Sequence, residues 1–339
     1  MKNKFDILTI GGAVQDITFY TSDGKILNNP NNDPTCLELL GFEYGAKIKI
    51  DTANFSFGGG AQNAAVCFSR LGYKTATLLS IGNDGAGKDI ICNLKKNKVN
   101  TKFVQIKNDI ATGFSFVLTD KKTSEHVVFS YRGANVALAI ENELEEASPK
   151  WIYITSLSEN WEKDVVSKIF NYKKNAKRKV AWNLGKRQLE AGYRRLEKYL
   201  KEADVLILNK DEATELIIGI RKKCENNVKK MLKDLYEMVY EKNSGIAVIT
   251  DGKKGAFAYD GVKIYYSPVI NVKRVDTTGV GDAFGSSFIA GLEMYKGDTQ
   301  KSLDLGNLNT SSVIGKVGAE NGLLYKKDIR GLSPNASLS

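Results

Sequence analysis

The sequence predicts an α/β protein in three layers, an α/β/α sandwich with a mostly parallel central sheet and a small β-sheet lid. From residue 149 onward, buried-type strand runs at 151–155, 179–182, 203–208 and 245–250 alternate with helical segments, the signature of a parallel sheet covered on both faces. Near the start, the apolar run 5–10 ends in Gly11-Gly12, so the chain turns sharply at a strand's carboxyl edge, where open α/β sheets bind ligands. Two separated β-rich stretches, about 13–56 and 110–133, stand outside the βα alternation and are expected to pair as the lid. The whole of 1–339 is then one domain, with the remainder forming the core.

Taken in order, the first strand delivers Asp16 near its carboxyl end, as a substrate contact or as a turn residue or cap. Residues 46–50, Ala-Lys-Ile-Lys-Ile, alternate like a strand with one exposed face, after turn chemistry at 28–34. Gly58-Gly59-Gly60 opens an Ala-rich amphipathic helix that carries Asn63, and small residues there serve either a ligand or tight packing. Residues 75–81 read as a strand and 88–98 as a helix, while 112–119 and 125–131 flank a polar turn and read as a hairpin. A last helix over 302–316 ends before Gly318, and 331–339 form a polar tail.

Composition narrows the function. Hydrophobic residues at 42% and charged residues at 26% exclude a disordered or fibrous chain. The net charge of +10 comes from dispersed lysines without an aromatic-basic cluster, which argues against nucleic acid and for steering of anionic substrates. Cys36, Cys67, Cys92 and Cys224 lie far apart and His126 is the lone histidine, so neither disulfides nor zinc is expected. Residues 1–10 pass directly into a strand-like run and no apolar stretch reaches membrane-spanning length, which predicts a cytoplasmic protein without a membrane partner.

The chemistry concentrates in Asp276-Thr277-Thr278-Gly279-Val280-Gly281-Asp282-Ala283-Phe284. Gly279 and Gly281 permit a tight turn into a helix whose first amides point bare at the positive end of its dipole, a seat for an anion. Asp282 inside that turn would repel a simple phosphate, so its presence points to a base beside a phosphoryl group in transfer. Asn209-Lys210-Asp211-Glu212 follows a strand end and opens a helix, as a capping box or as a functional pair. The turn Thr250-Asp251-Gly252-Lys253-Lys254-Gly255 is either a nucleotide-holding turn or an ordinary hairpin.

Together these segments resemble the ribokinase-like, PfkB-type carbohydrate kinase family, over nearly the whole chain. Gly58-Gly59 with Asn63 resembles the family's first signature, 276–284 its second, and Asn209 with Glu212 its N-x-x-E motif. The resemblance implies transfer of the γ-phosphate of ATP to a hydroxymethyl group of a sugar or nucleoside. It implies Asp282 as base; Gly279, Val280 and Gly281 as anion hole; Asp16, Gly58, Gly59 and Asn63 as acceptor contacts; and Asn209, Glu212, Thr250, Gly252 and Gly255 on the nucleotide side. Magnesium is implied through Glu212, and potassium near Asp276, Thr278 and the 318–319 loop. A homodimer through the lid is a further implication, although the 21–54 excursion is long for such a lid.

One departure bears on the acceptor. Relatives acting on fructose or keto-deoxy acids carry D-x-N-x-R after a central strand, whereas here Asn183 is followed by Leu184 and Gly185, which favours a neutral acceptor. A nucleoside acceptor and a non-catalytic binding protein stand as alternatives. A Rossmann-type oxidoreductase would need G-x-G-x-x-G after the first strand, and Gly11-Gly12-Ala13-Val14-Gln15-Asp16 lacks that spacing.

Overall fold

The structure, a computed structural model, describes residues 4–28, 38–121, 126–240 and 245–329. Most of the turn chemistry at 28–34, Cys36, the middle of the 120–124 turn and the 331–339 tail lie outside those residues. Ten short strands precede residue 132: β1 (Phe5–Ile10), β2 (Val14–Thr21), β3 (Lys25–Asn28), β4 (Glu38–Gly41), β5 (Thr52–Gly58), β6 (Thr75–Leu78), β7 (Ser80–Gly82), β8 (Gln105–Lys107), β9 (Gly113–Asp120) and β10 (His126–Tyr131). Six follow: β11 (Pro149–Ile154), β12 (Lys179–Asn183), β13 (Val205–Asn209), β14 (Ile246–Thr250), β15 (Ala256–Tyr259) and β16 (Ile264–Ser267).

Eight of them form one sheet in the order β16-β15-β14-β13-β12-β11-β1-β6. The six from β14 to β6 run parallel, and β15 and β16 close one edge antiparallel. Alternate residues of each strand enter opposite cores. Leu8, Ile10, Ile152, Ile154, Trp182, Leu206 and Leu208 pack beneath the helices Ser167–Ala176, Tyr193–Leu200, Lys210–Arg221 and Val228–Val239. Ile7, Trp151, Tyr153, Ala181, Val205 and Ile207 face the helices Gly60–Arg70, Gly85–Lys96, Val280–Met294 and Thr299–Ile314. Strands buried on both faces explain why they read as unbroken apolar runs rather than as alternation.

The helix Val280–Met294 lies hard against the sheet. A methyl group on Gly285 would sit 2.2 Å from the Tyr153 hydroxyl and 3.4 Å from Ile207 Cδ1, so the helix crosses β11 to β13 in direct contact. β1 is flanked by β11 on one side and β6 on the other, so chain order reverses there and opens a crevice at the strands' carboxyl ends.

A second sheet, in the order β10-β9-β2-β5, is built from the two excursions, with β9 and β10 as the expected hairpin. The long first excursion also carries a separate hairpin, β3 with β4.

Two expectations fail. Residues 46–50 form no strand, because side chains take their backbone groups: the Lys49 carbonyl accepts from Thr21 Oγ1 at 2.9 Å and its amide donates to Asp23 Oδ2 at 3.2 Å. The pairing strand begins at Thr52 instead. The run 75–81 is two strands, since β6 pairs with β1 while β7 leaves the main sheet to pair with β8. Both are tertiary choices that a local pattern cannot report.

Candidate active site

The glycine turn takes the expected form at Gly279 only: Gly281 is ordinary helix without a positive φ, and Val280 N is not bare but donates to Thr277 O at 3.4 Å. Gly279 caps the helix Val280–Met294 with φ 72°, ψ 5°, the left-handed region, and a methyl group there would lie 2.3 Å from Ala319 Cβ. Only glycine fits. Ala283 N donates back to Gly279 O at 2.9 Å, and helix geometry leaves the amides of Gly281 and Asp282 without an intrahelical acceptor. Gly281 is exposed with open space on its Cβ side, so an anion can approach these amides.

Asp276 anchors the turn from outside. Its Oδ1 accepts from Thr278 N at 2.9 Å and Thr278 Oγ1 at 2.8 Å, and its Oδ2 from Gly318 N at 2.8 Å. Burial alone would raise this carboxyl, but the donations from Gly318, Thr278 and Thr277 prevail and hold it below the usual carboxylate range.

Asp282 is half-buried and accepts from Asn63 Nδ2 at 2.8 Å. Burial raises its pKa and the Asn63 bond opposes the rise, the balance expected of a carboxylate kept able to take a proton. Asn63 Oδ1 is buried without a hydrogen-bond partner, so it can accept from a ligand hydroxyl.

Asp16, 7% exposed, sits on β2 directly opposite Ser115 of β9, whose hydroxyl hydrogen-bonds it. Burial raises its carboxyl to about 6, Ser115 works against the rise, and the Asp282 and Asp276 charges add to it. The glycines of the first signature make room for this group. A methyl on Gly58 would lie 2.1 Å from Asp16 Oδ2, and one on Gly59, at φ 93°, would lie 2.5 Å from Gly12 O. Asp16, Asn63 and Asp282 therefore share the crevice between lid and core, and none of the three is paired to a cationic side chain among the described residues.

Asn209 and Glu212 form the reciprocal capping box of the helix Lys210–Arg221: Glu212 N donates to Asn209 Oδ1 at 2.9 Å and Asn209 N to Glu212 Oε2 at 2.8 Å. Burial raises the Glu212 carboxyl, against the pull of the Asn209 amide. Thr250 is the register partner of Asn209 across β13 and β14, so the two flank one point of the sheet edge. Gly252 and Gly255 lie in a short 3-10 turn between β14 and β15, both with positive φ, while Lys210 Nζ stands 3.6 Å from Asp251 Oδ2. The helix Val280–Met294 thus brings Asp282 beside Asn63 and Thr155 at the end of β11, while a second cluster lies at the ends of β13 and β14.

Sequence reasoning missed two groups here. Ser115 carries no motif and reaches Asp16 only through the pairing of β2 with β9. Thr155 follows β11, and a methyl on Gly60 would lie 2.8 Å from its Cβ and 3.0 Å from Asp282 Oδ1, which places Thr155 beside the carboxylate. A hydroxyl directly after a central strand was the available signal.

Comparison with known proteins identifies the family and the fold. Residues 29–325 match the family described as pfkB family carbohydrate kinase. The chain is 28% identical over 326 residues to an ATP-dependent 6-phosphofructokinase of Thermoanaerobacterium thermosaccharolyticum, covering 93% of this chain and 90% of that one. Among solved structures, Arabidopsis thaliana ribokinase complexed with ribose and ATP superposes with a TM-score of 0.77 at 19% identity, covering 97% of this chain and 98% of that one. A Burkholderia thailandensis nucleoside kinase in complex with inosine superposes at 0.74 with 16% identity, covering 95% and 96%. The fold is that of the ribokinase-like kinases.

Proposed function

Because the chain belongs to the pfkB family of carbohydrate kinases, we propose that it transfers the γ-phosphate of ATP to a hydroxymethyl group of a neutral sugar. The observation that carries the reading is the 2.8 Å contact between Asn63 and Asp282, within the first turn of a helix whose amides face open space. Asp282 takes the proton from the acceptor hydroxyl, and the amides of Gly281 and Asp282, with Gly279 shaping the turn before Val280, hold phosphoryl charge. Asp16, Gly58, Gly59 and Asn63 form the acceptor side; Asn209, Glu212, Thr250, Gly252 and Gly255 form the nucleotide side.

The donor set suits magnesium delivered with the nucleotide. No cluster of three or more His, Cys, Asp or Glu occurs among the described residues, and only Oε2 of Glu212 is spent on the cap, so the ion would be held largely by phosphate and water. When bound, it would neutralise phosphate charge in the transition state. Potassium would be held by Asp276 Oδ2, which accepts a single donor and keeps a lone pair free, together with backbone carbonyls near Thr278 and 318–319.

The neutral acceptor rests on two carboxylates, Asp16 and Asp282, without a paired cation to offset an acceptor's own phosphate. The 6-phosphofructokinase relative makes this the point to test. ADP release is measured with ATP and magnesium over ribose, fructose, nucleosides and fructose 6-phosphate. Turnover with an unphosphorylated sugar is expected; activity confined to the phosphorylated sugar overturns the neutral acceptor, and activity confined to nucleosides replaces it with a nucleoside.

The whole chain is taken as one kinase domain in a cytoplasmic setting, and among the described residues no helix is long and apolar enough to cross a membrane. A homodimer through the lid is supported by the register: Phe55, Ile17, Phe116 and Phe129 form one row across the four strands, on the face opposite Asp16. Phe55 is 68% exposed and Phe129 57%. Sedimentation should give a dimer that Phe129→Lys dissociates.

A further inference from the structure

We infer that Glu320 is a positioning residue for phosphoryl transfer, locking the turn at Gly279 to the helix that carries Asn63. The inference rests on the kinase reading above.

Glu320 lies beyond the last long helix and is 7% exposed. Its Oε2 accepts from Asn93 Nδ2 at 2.8 Å and its Oε1 from Gln62 Nε2 at 3.3 Å, so one carboxylate joins the helices Gly85–Lys96 and Gly60–Arg70. Its carbonyl accepts from Arg70 Nη1 at 2.6 Å, at the far end of the second of these helices. The two preceding residues hold the anion turn: Gly318 N donates to Asp276, and Ala319 packs on Gly279. Gln62 is followed by Asn63, the donor to Asp282. Three consecutive residues therefore run from the back of the anion turn to the helix that carries Asn63.

The chemistry of this group is specific. A buried carboxylate satisfied by amides rather than by a Lys or Arg side chain carries a desolvation cost that packing alone does not require. What it supplies is two acceptor oxygens for two donors on two helices; an amide at this position keeps one acceptor, so Gln62 must either face donor with donor or turn its amide over and bury Nε2 where its unpartnered Oε1 now lies. Loosening the link would shift Asn63 relative to Asp282 and the anion turn, and a displacement of about 1 Å can cost about 10²-fold in rate.

Glu320→Gln is therefore expected to lower kcat by roughly tenfold or more while the acceptor KM stays within about twofold. Combining Gln62→Glu with Glu320→Gln restores the pairing in reverse: the new amide at position 320 donates to the new carboxylate at position 62 and still accepts from Asn93. That double variant should recover most of the lost kcat. Hydrogen–deuterium exchange without substrate supplies a readout independent of turnover, with the amides of 279–283 exchanging faster in Glu320→Gln and returning to wild-type rates in the double variant. The inference is overturned by a wild-type kcat in Glu320→Gln, by a loss matching only the fraction unfolded, or by unchanged exchange at 279–283. A wild-type protein without turnover on any acceptor counts against the proposed function, and exchange then decides the role of Glu320.

Discussion

Replacing Asp16 with asparagine should make the protein more stable and a worse enzyme, and the gain in stability can be worked from the structure. Burial raises this carboxyl from 3.8 to about 6. Between those values the unfolded chain has released its proton while the folded chain keeps it, so stability falls as pH rises, and the whole cost is present above pH 6. At about 1.36 kcal/mol per pKa unit, the ionised group costs up to about 3 kcal/mol at pH 7.5. Asparagine escapes that cost and can still accept from Ser115. With an unfolding entropy of roughly 2.1 cal/mol/K per residue, a chain of 339 residues gains roughly 4 °C in Tm. Thermal unfolding of wild type and Asp16→Asn, followed by calorimetry from pH 4 to 7.5, should show the difference at its full size at pH 7.5 and only about a fifth of it at pH 4. A difference that does not vary with pH, or a lower Tm for the variant at pH 7.5, would refute the argument. The same variant should show a raised acceptor KM in ADP-release assays.

Asp282→Asn should cut kcat by about 10²–10⁴-fold with little change in acceptor binding, as steady-state kinetics and calorimetric titration would report. Because burial raises the Asp282 carboxyl, the acid limb of the rate profile should lie above the ordinary carboxylate range, and Asn63→Ala should move it higher still by removing the opposing bond. Glu212→Gln separates the two roles of the N-x-x-E pair: the cap to Asn209 persists and Tm should hold, while a role with magnesium predicts a lower kcat and a higher magnesium requirement. Gly279→Ala should lower stability by about 1–3 kcal/mol from the left-handed backbone alone, with a further loss from the contact with Ala319, visible in chemical denaturation.

Much of the site was legible because its parts are local. Gly279, Asp282, Gly59 and Asn63 sit at helix entrances, where glycines and a polar side chain within a few residues carry the geometry themselves, whereas Asp16 is neither turn residue nor cap but stands within β2. The capping box at Asn209 and Glu212 was equally readable, since its two bonds close within four residues. What escaped depends on pairings across long stretches of chain. Ser115 meets Asp16 only through the parallel match of β2 with β9, and Glu320 meets Gln62 across 258 positions. The failed strand at 46–50 shows the converse, a local alternation defeated by competing side-chain bonds from Thr21 and Asp23.

The contact of the helix Val280–Met294 with Tyr153 and Ile207 leaves that helix no room to slide over the sheet. Asp282 and the turn at Gly279 consequently have a fixed address in the core, whereas Asp16 arrives on a strand of the lid. Selection on the choice of acceptor can therefore work through β2, β5, β9 and β10, including the added hairpin of β3 and β4, without rebuilding the machinery of transfer. Descent with a constant reaction and a drifting substrate is what such an attachment permits.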